Sequence, residues 1–236
     1  MTELRQKNRL LASLPDNEWV RLEKHLELVD LSASEVLYES GDIQRFVYFP
    51  TTAIVSLVFV IENGAGAEIA VVGNEGVVGI CLFMGGESTP GRAVVQSAGQ
   101  GLRMTAEAIK KAFERTPVLH LLLRYTQALL TQMAQNSVCN RHHALIQQIC
   151  RWLLMNLDRR AGDQLSMTQE SIAYALGVRR ESISEGASKL QAAGCIRYSR
   201  GTIQVLDRAG LEARACECYR VVAAEYARLL PVLSTV

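Results

Sequence analysis

The sequence lacks the marks of an enzyme, a membrane protein or a secreted protein. No GxSxG, HExxH or phosphate-loop pattern occurs, and no Cys–His arrangement comes with an orienting group, so no catalytic chemistry is read from it. No run reaches the roughly 18 apolar residues that a membrane span needs. The opening residues, MTELRQKNRL, lack the apolar stretch of a signal peptide, so a cytoplasmic location and no membrane partner are expected. No CxxC pair is present, and the first cysteine is Cys81, which leaves no N-terminal four-cysteine set for an iron–sulfur cluster. The six cysteines, Cys81, Cys139, Cys150, Cys195, Cys216 and Cys218, are scattered rather than spaced as a disulfide framework. Cys216 and Cys218 are two apart, which on a helix turns them to different sides. All six are therefore expected to be reduced structural thiols, and no metal site is expected. The histidines, His25, His120, His142 and His143, sit in no diagnostic ligand pattern. Strong net charge is also missing. Formal charge is +1, so any nucleic-acid surface has to be local.

What is present is enough apolar residue, 49% of 236, to build a sizeable core. Residues 1–30 read as helical. Asp16 is placed to cap a helix that carries Trp19, Leu22, Leu26 and Val29 on one face, with Pro15 stopping whatever precedes it. Residues 31–104 read as strands. The runs 36–38, 46–49, 53–61, 68–72 and 93–97 are rich in Val, Ile, Phe and Tyr, and glycine turns separate them. That pattern predicts an antiparallel sandwich or barrel.

Residues 105–160 return to helix. Pro117 suits the first turn of a long one. Leu119, Leu122, Thr126, Leu129 and Met133 then recur at spacings of three and four, the seam of a dimerising coiled coil, and Asn136 and Asn140 continue it in polar form. Leu121, Leu123 and Leu130 widen the apolar surface, so that one face meets a partner helix and another the β domain. A purely intramolecular helix is the alternative. A further helix is predicted over 141–160, and a single amphipathic helix over 207–233, closed by Pro231.

The informative segment is LSMTQESIAYALGVRRESISEGASKLQAAGCIRYSRGTIQVLD, residues 165–207. Thr168 is an N-cap for a short helix over Gln169 to Leu176, Gly177 permits a left-handed turn, and a second helix follows from about Arg179 to Ala192. Ala173, Gly177 and Ile183 have the spacing of a helix-turn-helix: small where the helices cross, flexible in the turn, apolar behind. Strands at 195–198 and 202–206 form a wing. Arg179, Arg180, Glu181, Ser184 and Glu185 stand at the exposed start of the second helix, where base edges are read. The arginine fork suits guanine and a carboxylate suits the cytosine amino group. Thr168, Lys189, Arg197 and Arg200 are candidates to hold phosphates. Local charge over 165–206 is only +2, so a dimer would need both copies. Double-stranded DNA is the expected partner. A regulatory module that acts through protein contacts without DNA is the alternative.

With these segments in this order the chain resembles the Crp–Fnr family of bacterial regulators, most specifically over Thr168 to Ile183. The resemblance implies an α+β chain: an N-terminal cyclic-nucleotide-binding-type β-roll (a jelly roll), a long dimerisation helix and a C-terminal winged helix-turn-helix. The corresponding divisions are 1–116, 117–140 and 141–236. It further implies a homodimer on a palindromic operator, contact with RNA polymerase, and a small-molecule effector held by Gly76, Val77, Gly79, Arg92 and Ala93. Arg180 and Glu181 match the family's base-reading positions, whereas Glu185 replaces a family arginine. Val77 replaces the glutamate that serves cyclic AMP, so cyclic AMP is disfavoured and the effector is left open. Gly186 also departs from the pattern, in mid-helix, where glycine weakens a helix by about 0.5–1 kcal/mol.

Overall fold

The computed structural model describes residues 2–199 and 201–230. Three short helices, α1 (Thr2–Gln6), α2 (Arg9–Ala12) and α3 (Asp16–Leu22), lead into the strands. Asp16 does not cap α3. Pro15 occupies the cap position and Asp16 is the first helical residue. Nor does helix continue to residue 30. The chain turns extended at β1 (Glu27–Leu31), where pairing with a distant strand outweighs the helical spacing of Leu26 and Val29.

The strands β2 (Val36–Tyr38), β3 (Phe46–Pro50), β4 (Ile54–Val60), β5 (Gly66–Val72), β6 (Arg92–Ser97) and β7 (Gly99–Thr105) complete the roll. They form two antiparallel sheets, of order β1-β7-β3 and β2-β6-β4-β5. β4 alternates Val55 and Leu57 inward, and β6 turns Ala93 and Val95 to the same core. A single helical turn, α4 (Cys81–Met84), interrupts the strands, and α5 (Ala106–Phe113) follows them, capped by the Thr105 hydroxyl.

Helix α6 (Thr116–His142) crosses the roll, with Pro117 in its first turn as expected. Beyond it lie α7 (Leu145–Leu157), β8 (Gln164–Ser166), α8 (Gln169–Leu176), α9 (Arg180–Ala192), β9 (Ile196–Ser199) and β10 (Thr202–Val205). The C-terminal stretch is two helices, not one: α10 (Arg208–Arg214) and α11 (Glu217–Leu229). Ala215 and Cys216 are extended between them, so that Cys216 caps α11 and Cys216 and Cys218 both point inward. Pro231, the expected terminator, lies outside the described residues.

The leucine seam read from α6 also has a different destination. Leu122 and Leu129 are 3% and 0% exposed within the core of their own protomer, and Thr126 is buried and donates to the Leu122 carbonyl. Leu119 and Met133 are half-buried. Asn136 faces inward too, its amide donating to Ile69 O. The roll claims this face because its apolar sheet must be covered. The large apolar residues of α6 that remain in solvent are Leu123, Leu130 and Val138, which fall on one stripe at spacings of seven and eight.

Candidate nucleic-acid interface and effector cavity

Helices α8 and α9 are held at a fixed angle by packing behind them. Ile172, Leu176, Ile183 and Leu190 are all 5% exposed or less and share one core with α7. Thr168 Oγ1 accepts from Ser171 N at 3.1 Å, which satisfies one of the orphan donors at the start of α8. Gly177 adopts φ 65°, ψ 35°, the left-handed conformation the turn requires. Gly186 has a positive reason to be glycine. A Cβ there would sit 2.5 Å from Ile149 Cδ1 of α7, so the missing side chain lets the two helices approach.

The wing is tied to both helices. β8, β10 and β9 form a three-stranded sheet, with Leu165 and Ile203 in the core. Tyr198 of β9 accepts at its hydroxyl from Gln169 N, and its backbone N–H donates to Gln191 Oε1 at 2.9 Å. The wing therefore cannot swing independently of α8 and α9.

Arg179, Arg180, Glu181 and Glu185 are exposed and Ser184 is half-buried. Arg179 is the cap residue, extended, and the helix proper begins at Arg180. Arg179, Arg180 and Glu181 form no ion pair among the described residues. Glu185 instead pairs with Lys189 across one turn, at 2.7 Å, and the hydrogen bond from Lys189 holds its carboxyl below the usual range. Arg197 is exposed on the wing. Arg200 lies outside the described residues.

The C-terminal half is docked on the roll through buried polar groups that sequence reasoning missed. Arg159 donates to Glu75 Oε1 at 2.8 Å and to Gln132 Oε1 at 3.1 Å. Trp152 Nε1 donates to Glu68 Oε1 at 2.9 Å. Glu68 is buried on β5, and that desolvation raises its pKa even though Ser56, Trp152 and nearby arginines pull it down. Arg151 donates to Asn136 of α6. Asn136, one of the polar residues that continue the seam, is the sequence feature that falls at this contact.

The roll contains a cavity of about 370 Å³ between β4, β5, β6 and α4. Its lining includes Leu57, Phe59, Ile69, Ile80 and Met133, with Arg92 and Gln44 as polar members. Gln44 is 4% exposed, and neither atom of its amide has a partner among the described residues. Of the expected pocket residues, only Arg92 lines this cavity. It also pairs there with Glu39 at 3.2 Å. Gly76 and Val77 do not line it. Val77 is 0% exposed, its carbonyl accepts from the Tyr125 hydroxyl at 2.9 Å, and a Cβ on Gly76 would strike the Tyr125 ring. Ala93 is turned into the core. Gly79, at φ 100°, turns the chain into α4, and the following residue, Ile80, is the one that faces the cavity. The apolar run 77–80 hides this register because every side chain in it is of similar character.

A family model described as the cyclic nucleotide-binding domain matches residues 28–116, and one described as the Crp-like helix-turn-helix domain matches residues 147–214. No curated protein matches the chain. FixK2 of Bradyrhizobium japonicum is similar in structure, with a TM-score of 0.70, 18% identity, and coverage of 81% of this chain and 98% of that one. A CRP-family transcriptional regulator of Thermus thermophilus has a TM-score of 0.66 at 22% identity, covering 79% and 96%. The global regulator CLP of Xanthomonas campestris has a TM-score of 0.63 at 15% identity, covering 81% and 99%. The structural likeness shows the fold. The two family models, in the order roll then helix-turn-helix and accounting for about two thirds of the residues, show that the chain belongs to the Crp–Fnr family of transcription regulators.

Proposed function

We propose that the chain is a sequence-specific regulator that binds a palindromic operator as a homodimer in the cytoplasm, and that it carries out no catalytic step. Residues 1–116 sense, 117–140 join the two protomers, and 141–236 bind DNA. The observation that carries this reading is the outward face of α9, with Arg180 and Glu181 exposed and without an ion pair among the described residues while Ile183 and Leu190 fix the helix from behind. Arg179, Arg180, Glu181, Ser184 and Glu185 read base edges. Thr168, Lys189, Arg197 and Arg200 contact phosphates, with Lys189 leaving Glu185 to do so. In a dimer the two α9 helices enter successive major grooves about 34–36 Å apart. The exposed stripe Leu123, Leu130 and Val138 supplies the contact between protomers, in place of the buried Leu122 and Leu129. The promoter-bound dimer touches RNA polymerase.

The cavity in the roll receives the effector. Its lining suits a compact, largely apolar molecule with one hydrogen-bonding group for Gln44, not a cyclic nucleotide, because a chain carboxylate already engages Arg92. CLP of Xanthomonas campestris is responsive to cyclic di-GMP.

Selection of genomic fragments by the purified chain is expected to yield a two-fold symmetric sequence. The recovered site should then be lost for Arg180→Ala at one base pair in each half. Failure to retard any fragment at low salt would overturn the reading in favour of a module that works through protein contacts.

A further inference from the structure

At the far end of α6, away from both surfaces, the side chains of Cys139, His143, Cys216 and Cys218 converge, and their ligand-type atoms all lie within 4.8 Å of one another. Cys139 Sγ stands 3.4 Å from Cys216 Sγ, and Cys218 Sγ stands 3.6 Å from His143 Nδ1. A disulfide would need about 2.05 Å. A tetrahedral ion with metal–sulfur bonds of about 2.3 Å and metal–nitrogen bonds of about 2.0–2.1 Å sets its ligands roughly 3.5–3.8 Å apart. We infer that Cys139, His143, Cys216 and Cys218 form a closed, mononuclear Cys3His site for a thiophilic divalent ion of the zinc type.

Two features outside the ligand set point the same way. His143 presents Nδ1 to the sulfurs while its Nε2 lies 3.3 Å from Glu217 Oε1. A metal-bound imidazole donates its second N–H to just such a carboxylate, which fixes the tautomer and the ring. Arg151 is 2% exposed and forms no ion pair among the described residues, its guanidinium donating to Asn136 of the same helix end. Three thiolates around a divalent ion carry net −1, which a buried guanidinium offsets. All four positions come from protein, so no coordination site is left for substrate and the ion is structural. All six cysteines are free thiols as expected, but three of them are not scattered: they converge with His143. The break at Ala215–Cys216 turns both cysteines to one side, which a continuous helix would forbid.

The position gives the site its role. Cys139 is in the last turn of α6, and His143 caps that helix where the chain bends into α7. Cys216 and Cys218 open α11. The ion fastens the corner between the long helix and the DNA-binding half to the C-terminal helix, so its loss, or oxidation of the thiols, frees that corner.

Elemental analysis of the full chain purified from zinc-supplemented cells should find one zinc per chain. Cobalt(II) added to the chelator-stripped chain should give the intense visible bands of a tetrahedral thiolate complex. Cys216→Ser is expected to lose both. Cys218→His should keep the stoichiometry but shift the bands, and Cys81→Ser should change neither. Circular dichroism verifies that each variant is folded. Should Cys216→Ser fail to fold, the cobalt spectrum of the wild type and its shift in Cys218→His still decide the matter. Absence of cobalt bands from the stripped, reduced wild type would overturn the inference. So would iron with inorganic sulfide in place of zinc, or a Cys139–Cys216 disulfide in protein kept under reductant.

Discussion

On α9, Arg180 and Glu181 stand in water with no partner among the described residues, whereas on and just beyond α7, Arg151 and Arg159 are buried and hydrogen-bonded to α6, with Arg159 also paired to Glu75 of the roll. Both regions belong to the DNA-binding half, and both are rich in arginine. The difference lies in what completes each charge. A buried charge is tolerable only when its partners are already in place, as Glu75 and Gln132 are for Arg159, and that contact specifies one docking geometry. An exposed charge in a rigid frame costs little to leave open and keeps its hydrogen-bonding capacity for something outside the chain. Within one domain, then, paired arginines hold position and unpaired ones are free to recognise.

That contrast can be broken most forcefully at Arg159. Arg159→Met leaves Glu75 buried without its cation and is expected to cost about 3–5 kcal/mol in denaturant unfolding. The double variant Arg159→Met, Glu75→Leu should cost less than the single one, because no charge is stranded; an equal or larger cost would show that packing, not charge, holds the seam.

On the open face the currency changes from folding to binding. Arg180→Ala is expected to weaken the selected operator by about 1–3 kcal/mol in a fluorescence titration. It should leave unfolding within about 0.5 kcal/mol of wild type. A large loss of stability would place Arg180 with the structural arginines.

Glu68 sharpens the comparison through pH. Burial raises its folded pKa above the unfolded value, so the stability it contributes is fully present below the unfolded carboxylate pKa and is lost as pH rises through the folded one. Glu68→Gln, which cannot ionise, should therefore be more stable than wild type at neutral pH and show a flatter stability–pH profile from acid to neutral. Parallel profiles for the two proteins would refute this assignment.

Lys189→Ala is the mildest case. Its partner Glu185 is fully solvated, so the melting temperature should not move. The salt dependence of operator binding should fall by about one ion per protomer if Lys189 meets a phosphate.

Much of this architecture is legible in the residues. Thr168, Gly177 and Gly194 punctuate the helix-turn-helix by local backbone chemistry, and α8 falls where they place it. The β-branched runs likewise give the strands from β2 to β6. Readings fail where the deciding partner is distant. Leu122 and Leu129 announce a stripe on α6 but not what the stripe faces. Leu26 and Val29 have helical spacing, yet pairing of Glu27–Leu31 with β7 prevails. Val77 and Ile80 are chemically alike, and only the path of the chain through Gly79 decides which one meets the cavity. Cys216 and Cys218 come to one side only because the helix expected there breaks.

Helix α6 serves the roll with one side, solvent with another and the cysteine cluster with its tip. Each added residue turns a helix by about 100°. A single insertion after Leu130 would turn Met133 and Asn136 off the roll, rotate Val138 out of line with Leu123 and carry Cys139 away from Cys216. The number of residues between Leu130 and Cys139 is therefore a fixed dimension of the molecule, far less free to vary than the identity of the side chains along it.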